Sequence, residues 1–247
     1  MAVKIIYALA CALECVFVPL FLKYSWPEKC WTSFKLKMVC SALFITTGVC
    51  SIIWAGNGMT QYAKWMIIGL VLGMLGDLFL HLITDKMVVF GLGLFSFLVG
   101  HIFFIKGFGD ALENYFPQAK VFDWRAILGV ILVFALLVVY AVKAKMEFGI
   151  ALVPVIMYAF TILFMFATAL QLCTRLFLEG YANDVGTICT VGLGALLFVA
   201  SDLTLALILF SNKEKRMKEN RPIKIFNIVT YFAGQILLGT SILYLVA

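Results

Sequence analysis

Charged side chains are scarce in this sequence. Asp, Glu, Lys and Arg make up 13% of its 247 residues, about half the ~25% usual in soluble domains. With 64% hydrophobic residues, the chain has too little polar surface to cover a water-soluble fold. Short alternating segments are also missing, and a membrane β-barrel would need them at roughly ten residues each. Apolar runs of about 18–25 residues take their place, the length of a helix crossing ~30 Å of hydrocarbon. Only helices and closed barrels satisfy their backbone in lipid. The expected fold is therefore all-α, a polytopic membrane bundle forming a single domain over 1–247.

Histidine occurs only at His81 and His101, with no H-E-x-x-H or paired-His motif. No metal or other cofactor is expected; a site built from Asp77, His101 and Asp202 is the one metal alternative. The seven cysteines form no C-x-x-C pair and read as small buried hydrophobes. The net charge of +6 does not indicate nucleic acid, because Lys and Arg sit in short loops between apolar runs. Membrane lipids are the expected surroundings, and no protein partner is inferable.

Eight spans are predicted, at 3–22, 37–54, 64–83, 87–106, 125–142, 149–171, 185–210 and 224–246. The first could be taken for a signal peptide. Its run is long, holds Glu14 and Pro19, and lacks an A-x-A cleavage site, so it reads as a span. Thirteen of the nineteen Lys and Arg fall in or beside the loops after helices 1, 3, 5 and 7. The positive-inside rule makes that side cytoplasmic and puts both termini outside. The basic stretch "SNKEKRMKENR" (211–221) reads as a topology anchor that could also meet anionic headgroups. A bacterial cell membrane is favoured over a eukaryotic internal one.

Against this apolar background, two segments repeat one wording: "GDLFLHLI" (76–83) and "SDLTLALI" (201–208). Each buries an acid, Asp77 or Asp202, and a charge at the centre of a membrane helix costs about 2.5–3.5 kcal/mol on insertion scales. Counted from the helix ends at 1.5 Å per residue, Asp77, Asp202, Glu14, Tyr158, Tyr231 and Gln235 mostly share a layer near the cytoplasmic side, with His101 somewhat deeper. That depth predicts one polar chamber. His81 lies one turn after Asp77 and reads as a local partner rather than a catalyst. Further on, "SFLVGHIFF" (96–104) aligns with "TYFAGQILL" (230–238), so helices 3–4 look like a copy of helices 7–8. A parallel 4+4 duplication follows as an expectation, an arrangement known among transporters.

These residues also resemble a family. Gly76-Asp77, Gly91-Leu92, Phe97 with His101, Pro154, Tyr158, Met165 and Ala169 come first. Gly194, Phe198, Ser201-Asp202 and Tyr231-Phe232 with Gln235 complete the set. They follow, in order, the pattern of the YhhN-like lysoplasmalogenases, eight-span integral membrane proteins. The family often has a lysine before helix 2, commonly followed by Pro. Lys35 is the nearest match, although Leu36 follows it, and Glu14 and His81 lie outside the pattern. The resemblance implies hydrolysis of the vinyl ether bond of a lysoplasmalogen, a lysophospholipid, to a fatty aldehyde and a glycerophospho-amine. Such a reaction protonates carbon, forms an oxocarbenium ion and adds water. It calls for one carboxylic acid and one carboxylate, as in glycosidases. Asp77 and Asp202 are the candidate pair. His101, Tyr158, Tyr231, Gln235, Ser201 and Glu14 are candidates for orienting or binding, with Lys35 towards the substrate phosphate. The competing readings are hydrolysis of another single-chain ether or ester lipid, and a small proton-coupled transporter or lipid-binding membrane protein. Against the transporter, helix breaks are not paired, since Pro154 has no counterpart in helix 2.

Overall fold

The computed structural model describes residues 1–26, 29–84, 86–121, 123–179, 185–211 and 220–245. The described chain is helical, with eight helices long and apolar enough to cross a membrane. They are α1 (Ala2–Tyr24), α2 (Trp31–Ala55), α3 (Gln61–His81), α4 (Met87–Tyr115), α5 (Trp124–Lys143), α6 (Gly149–Leu178), α7 (Val185–Phe210) and α8 (Arg221–Leu243). The chain is a multi-pass membrane protein. Most of the basic stretch at 211–221 and the predicted end of the last helix at 246 lie outside the described residues.

Several boundaries differ from expectation; the largest shifts are at the start of α2 and at the ends of α4 and α6, the last reaching Leu178 instead of 171. Helix α2 starts at Trp31, six residues before the predicted start at 37. The Cys30 thiol accepts from the Ser33 N–H while the Ser33 hydroxyl accepts from the Cys30 N–H, a reciprocal cap that nucleates the first turn early. Lys35 is therefore a helical residue and not a loop residue, and Lys37 lies about two turns inside the helix rather than at its start. Helix α4 runs to Tyr115, so the first half of the predicted 107–124 connection is a helical extension. Its Phe108, Ala111 and Leu112 are buried. Its Asp110 pairs with Lys106 at 3.5 Å and accepts from the Trp65 indole at 2.8 Å. Hydropathy alone ends the helix at Lys106 because the extension is amphipathic.

Packing puts α8 at the centre and α5 at the edge: 67% of the apolar window of α8 is buried and 6% of that of α5. The neighbour pairs fall into matched sets: α1–α2 with α5–α6, α2–α3 with α6–α7, α3–α4 with α7–α8, and α2–α8 with α6–α4. Advancing each number by four, around a ring of eight, converts one member of each set into the other. The crossings agree in detail. A Cβ on Gly100 would lie 3.2 Å from the Gly69 carbonyl, and one on Gly234 would lie 3.1 Å from the Gly194 carbonyl. These are equivalent positions in the two aligned segments. The contacts of α1 and of α3 with α8 have no matching α5–α4 or α7–α4 contact of comparable extent; the first fits α5 lying outside, and the second departs from the exchange. The pattern favours the 4+4 duplication without establishing it.

The Gly234 contact is tight because small residues let membrane helices approach closely. Gly234→Leu should lower unfolding stability by about 1–3 kcal/mol, the usual penalty of over-packing, because the Gly194 carbonyl and the Phe198 N–H stand 3.1 Å away as rigid backbone. Gly129→Leu, where a Cβ meets nothing within 4 Å, should be neutral. Thermal unfolding of both variants in detergent decides this, and equal midpoints would refute the close-approach role.

Candidate active site: two unlike aspartates on one chamber

Helix α3 carries Asp77 into the bundle at 1% exposure. The Lys37 Nζ lies 2.9 Å from its Oδ1. The Ser41 hydroxyl donates to Oδ2 at 2.7 Å and the Tyr231 hydroxyl to the same oxygen at 2.8 Å. Gln235 Nε2 in turn donates to the Tyr231 hydroxyl at 3.1 Å. Both oxygens of Asp77 are thus occupied, by α2 and α8. Lys37 and Ser41 reach the acid together because they lie four residues apart on one buried stripe of α2, with Ser33 and Phe44.

Helix α7 carries Asp202, whose partners come from the other set of helices. Tyr158 of α6 donates its hydroxyl to Oδ2 in a short hydrogen bond. His101 Nε2 of α4 lies 3.3 Å from the same oxygen and 3.1 Å from the Tyr158 hydroxyl. The His101 ring sits edge-on to Phe198 at 4.7 Å, and its Nδ1 is buried without a partner. Among the described residues no group donates to Asp202 Oδ1, and the side chain is 8% exposed. Asp77 is therefore saturated and ion-paired, whereas Asp202 keeps one oxygen with no described donor. The partner helices obey the same exchange as the fold: α2 and α8 for Asp77, α6 and α4 for Asp202.

Both aspartates line one cavity of about 230 Å³. Lys29, Lys37, His81, Ser201, Lys224, Asn227 and Tyr231 supply its polar wall; Phe90, Phe97, Leu205, Ile208 and Leu209 supply its apolar wall. The chamber inferred from depth thus exists around Asp77, Asp202, Ser201 and Tyr231, with His101, Tyr158 and Gln235 directly behind them as partners. The Ser201 hydroxyl donates to the Asn227 carbonyl at 3.0 Å and accepts from Asn227 Nδ2 at 2.9 Å, joining α7 to α8. His81 bonds the Ser33 hydroxyl through Nε2 at 3.0 Å and stands edge-on to Phe21, the local partner expected of it. Among the described residues no group of three His, Cys, Asp or Glu side chains is placed to hold a metal ion, since His101 meets Asp202 but not Asp77.

Two expected members are placed elsewhere. Lys35 is exposed on α2 and does not line the chamber. Lys37, two residues on, takes the inward face because helix periodicity separates positions two apart by about half a turn. Glu14 is 3% exposed, lines no part of the chamber, and neither of its oxygens has a hydrogen-bond partner. The missed contributors are Lys37, Ser41, Asn227, Lys29 and Lys224. Only the Ser33-Lys37-Ser41-Phe44 spacing gave a sequence signal for any of them.

No curated protein and no solved structure matches the chain. The YhhN family model matches residues 32–242, a stretch that takes in all of the chamber's acids, hydroxyls and imidazoles described above. On that match, which covers most of its length, the chain belongs to the YhhN family.

Proposed function

We propose that this protein is a membrane-embedded ether hydrolase that cleaves the vinyl ether bond of a lysoplasmalogen, with Asp202 as the reacting acid. The observation that carries the reading is the asymmetry of the two carboxyls on one amphipathic chamber. Both Asp77 oxygens are engaged, while Asp202, on the same cavity wall, keeps one oxygen to which no described group donates. A single-chain amphiphile fits such a chamber with its headgroup on the lysine side and its chain against Phe90, Leu205 and Leu209. Drug-sized ligand sites run about 300–1,000 Å³, so a long alkenyl chain overfills this one and leaves it between the helices into lipid.

In the proposed reaction, Asp202 donates its proton to the outer vinyl carbon, giving an oxocarbenium ion conjugated to the ether oxygen. The Asp202 carboxylate then accepts a proton from a water that adds to the cationic carbon. The resulting hemiacetal collapses to the aldehyde and the free glycerol hydroxyl, so one water is consumed. Tyr158 and His101 hold Asp202 in place. Asp77 acts through others: it fixes the Lys37 ammonium and the Tyr231 hydroxyl at the chamber wall. Asp202 and the lipid substrate face the Lys-rich end of the bundle, which on this reading is cytoplasmic, with both termini outside.

The test is direct. Purified protein in detergent is supplied with lysoplasmalogen, and fatty aldehyde is quantified. Sustained release is expected; a folded wild type that releases none defeats the reading. Turnover of an alkyl-ether or ester lysolipid instead would identify the related hydrolase. The matched helix neighbours favour a second reading, a small proton-coupled transporter, because parallel repeats occur in that class. Proton-coupled uptake into liposomes without lipid turnover would select it.

A further inference from the structure

Beside the chamber, at the end of the bundle where α1 stops and α8 starts, lies a second cavity of about 210 Å³. Pro19, Leu22, Trp26 and Ile225 make its apolar side, and Lys23, Arg221 and Lys224 its polar side. No acidic residue lines it among the described residues. Arg221 and Lys224 both fall in the first turn of α8, where the positive end of the helix dipole disfavours cations. Two cations on that turn and a third across the groove make a concentration of positive charge that an anion would relieve. Lys224 belongs to both cavities. Its Nζ donates to the Ser25 carbonyl at 2.5 Å and stands 5.4 Å above the Trp26 ring, so the side chain is held at the partition between them. Along α8, Lys224 precedes Asn227, the hydrogen-bond partner of Ser201 beside Asp202, by three positions, about 4.5 Å of helix.

We infer that this groove is the phosphate subsite of the chamber. It takes the phosphodiester of a lysophospholipid whose glycerol passes Lys224 and whose ether linkage lies at Asp202. The inference rests on the proposed lipid substrate, and it adds what the chamber alone does not supply, recognition of the headgroup. Lys23 and Arg221 supply the charge-assisted donors, and Trp26 closes the apolar side against the glycerol.

The experiment measures equilibrium binding to the purified full chain. The probes are an ester-linked lysophosphatidylethanolamine, which has no vinyl ether to turn over, and a phosphate-free monoacylglycerol of the same chain. K23Q/R221Q should weaken binding of the phosphate-bearing probe about tenfold or more, as expected for losing charge-assisted contacts, and leave the monoacylglycerol unchanged. K23R/R221K keeps the charges and should bind both probes as wild type does. Unchanged lysolipid binding in K23Q/R221Q overturns the inference. So does equal loss of both probes, which marks a structural effect. A third overturning result is loss in the variant of co-purifying phosphatidylglycerol alone, which would give the groove to bulk anionic lipid. Aldehyde release is followed in parallel: a wild type that binds through the groove but releases no aldehyde removes the vinyl ether reaction and keeps the subsite.

Discussion

Lys37→Met should destabilise the protein by about 3–5 kcal/mol, the range for breaking one side of a buried ion pair. The Asp77 carboxyl is 1% exposed and sits 2.9 Å from the ammonium. Without Lys37 it keeps only the Ser41 and Tyr231 hydroxyls, which cannot neutralise a charge in a low-dielectric interior. Asp77→Asn should cost less, because the Lys37 side chain, at 11% exposure on the cavity wall, has the cavity to turn towards. The double variant Lys37→Met/Asp77→Asn should be more stable than Lys37→Met alone, since the uncompensated charge is gone. Equilibrium unfolding of the four proteins in a double-mutant cycle measures the coupling. A Lys37→Met protein as stable as wild type would mean that the pair carries no structural weight.

The second large effect concerns chemistry and not folding. Asp202→Asn should abolish aldehyde release, a loss of about 10²–10⁴-fold or more for removing a general acid–base group, while the unfolding midpoint barely moves. Asparagine keeps the shape and can still face Tyr158 and His101, but it has no proton of suitable acidity to give to carbon. Tyr158→Phe should retain measurable turnover, because it removes one of the two groups that hold Oδ2 and leaves His101. Asp77→Asn should lower activity together with stability, as a positioning residue would. Full aldehyde release by Asp202→Asn would sink the assignment of the reacting acid even with the activity established. Equal, stability-independent loss in both aspartate variants would restore a symmetric two-carboxylate mechanism.

The contrast between the acids bears on how this membrane site works. A wording that occurs twice delivers two carboxyls to one chamber, and identical surroundings would give two identical groups. The partners of the two acids differ. Span 2 offers Lys37 and Ser41 to Asp77, while its counterpart, span 6, offers Tyr158 to Asp202. Span 8 offers Tyr231 to Asp77, and span 4 offers His101 to Asp202. One acid is a fixed ion pair and the other keeps an oxygen with no described donor. On the proposed reading, that difference in partners is what separates their roles.

Sequence by itself determined the membrane class, eight spans, both aspartates and the likeness to the family that the chain proved to belong to. Each of those rests on local text: long apolar runs fix helices through backbone hydrogen bonding in lipid, and an acid inside such a run is conspicuous wherever it points. The partners were legible only in part. Tyr158, Tyr231, His101 and Gln235 stood out because polar groups are rare at depth. Lys37 stands at the predicted start of the second span, among the basic residues flanking a loop, while Lys35 is the candidate for the substrate phosphate. Only the tertiary structure decided which cation meets which acid. Two residues on one helix can be two positions apart and face opposite ways, and the packing of α1, α3 and α8 around α2 determines which of them is buried. It also decided that Glu14, buried at 3% exposure, lies outside the chamber, since depth along a helix gives a layer but not a direction within it.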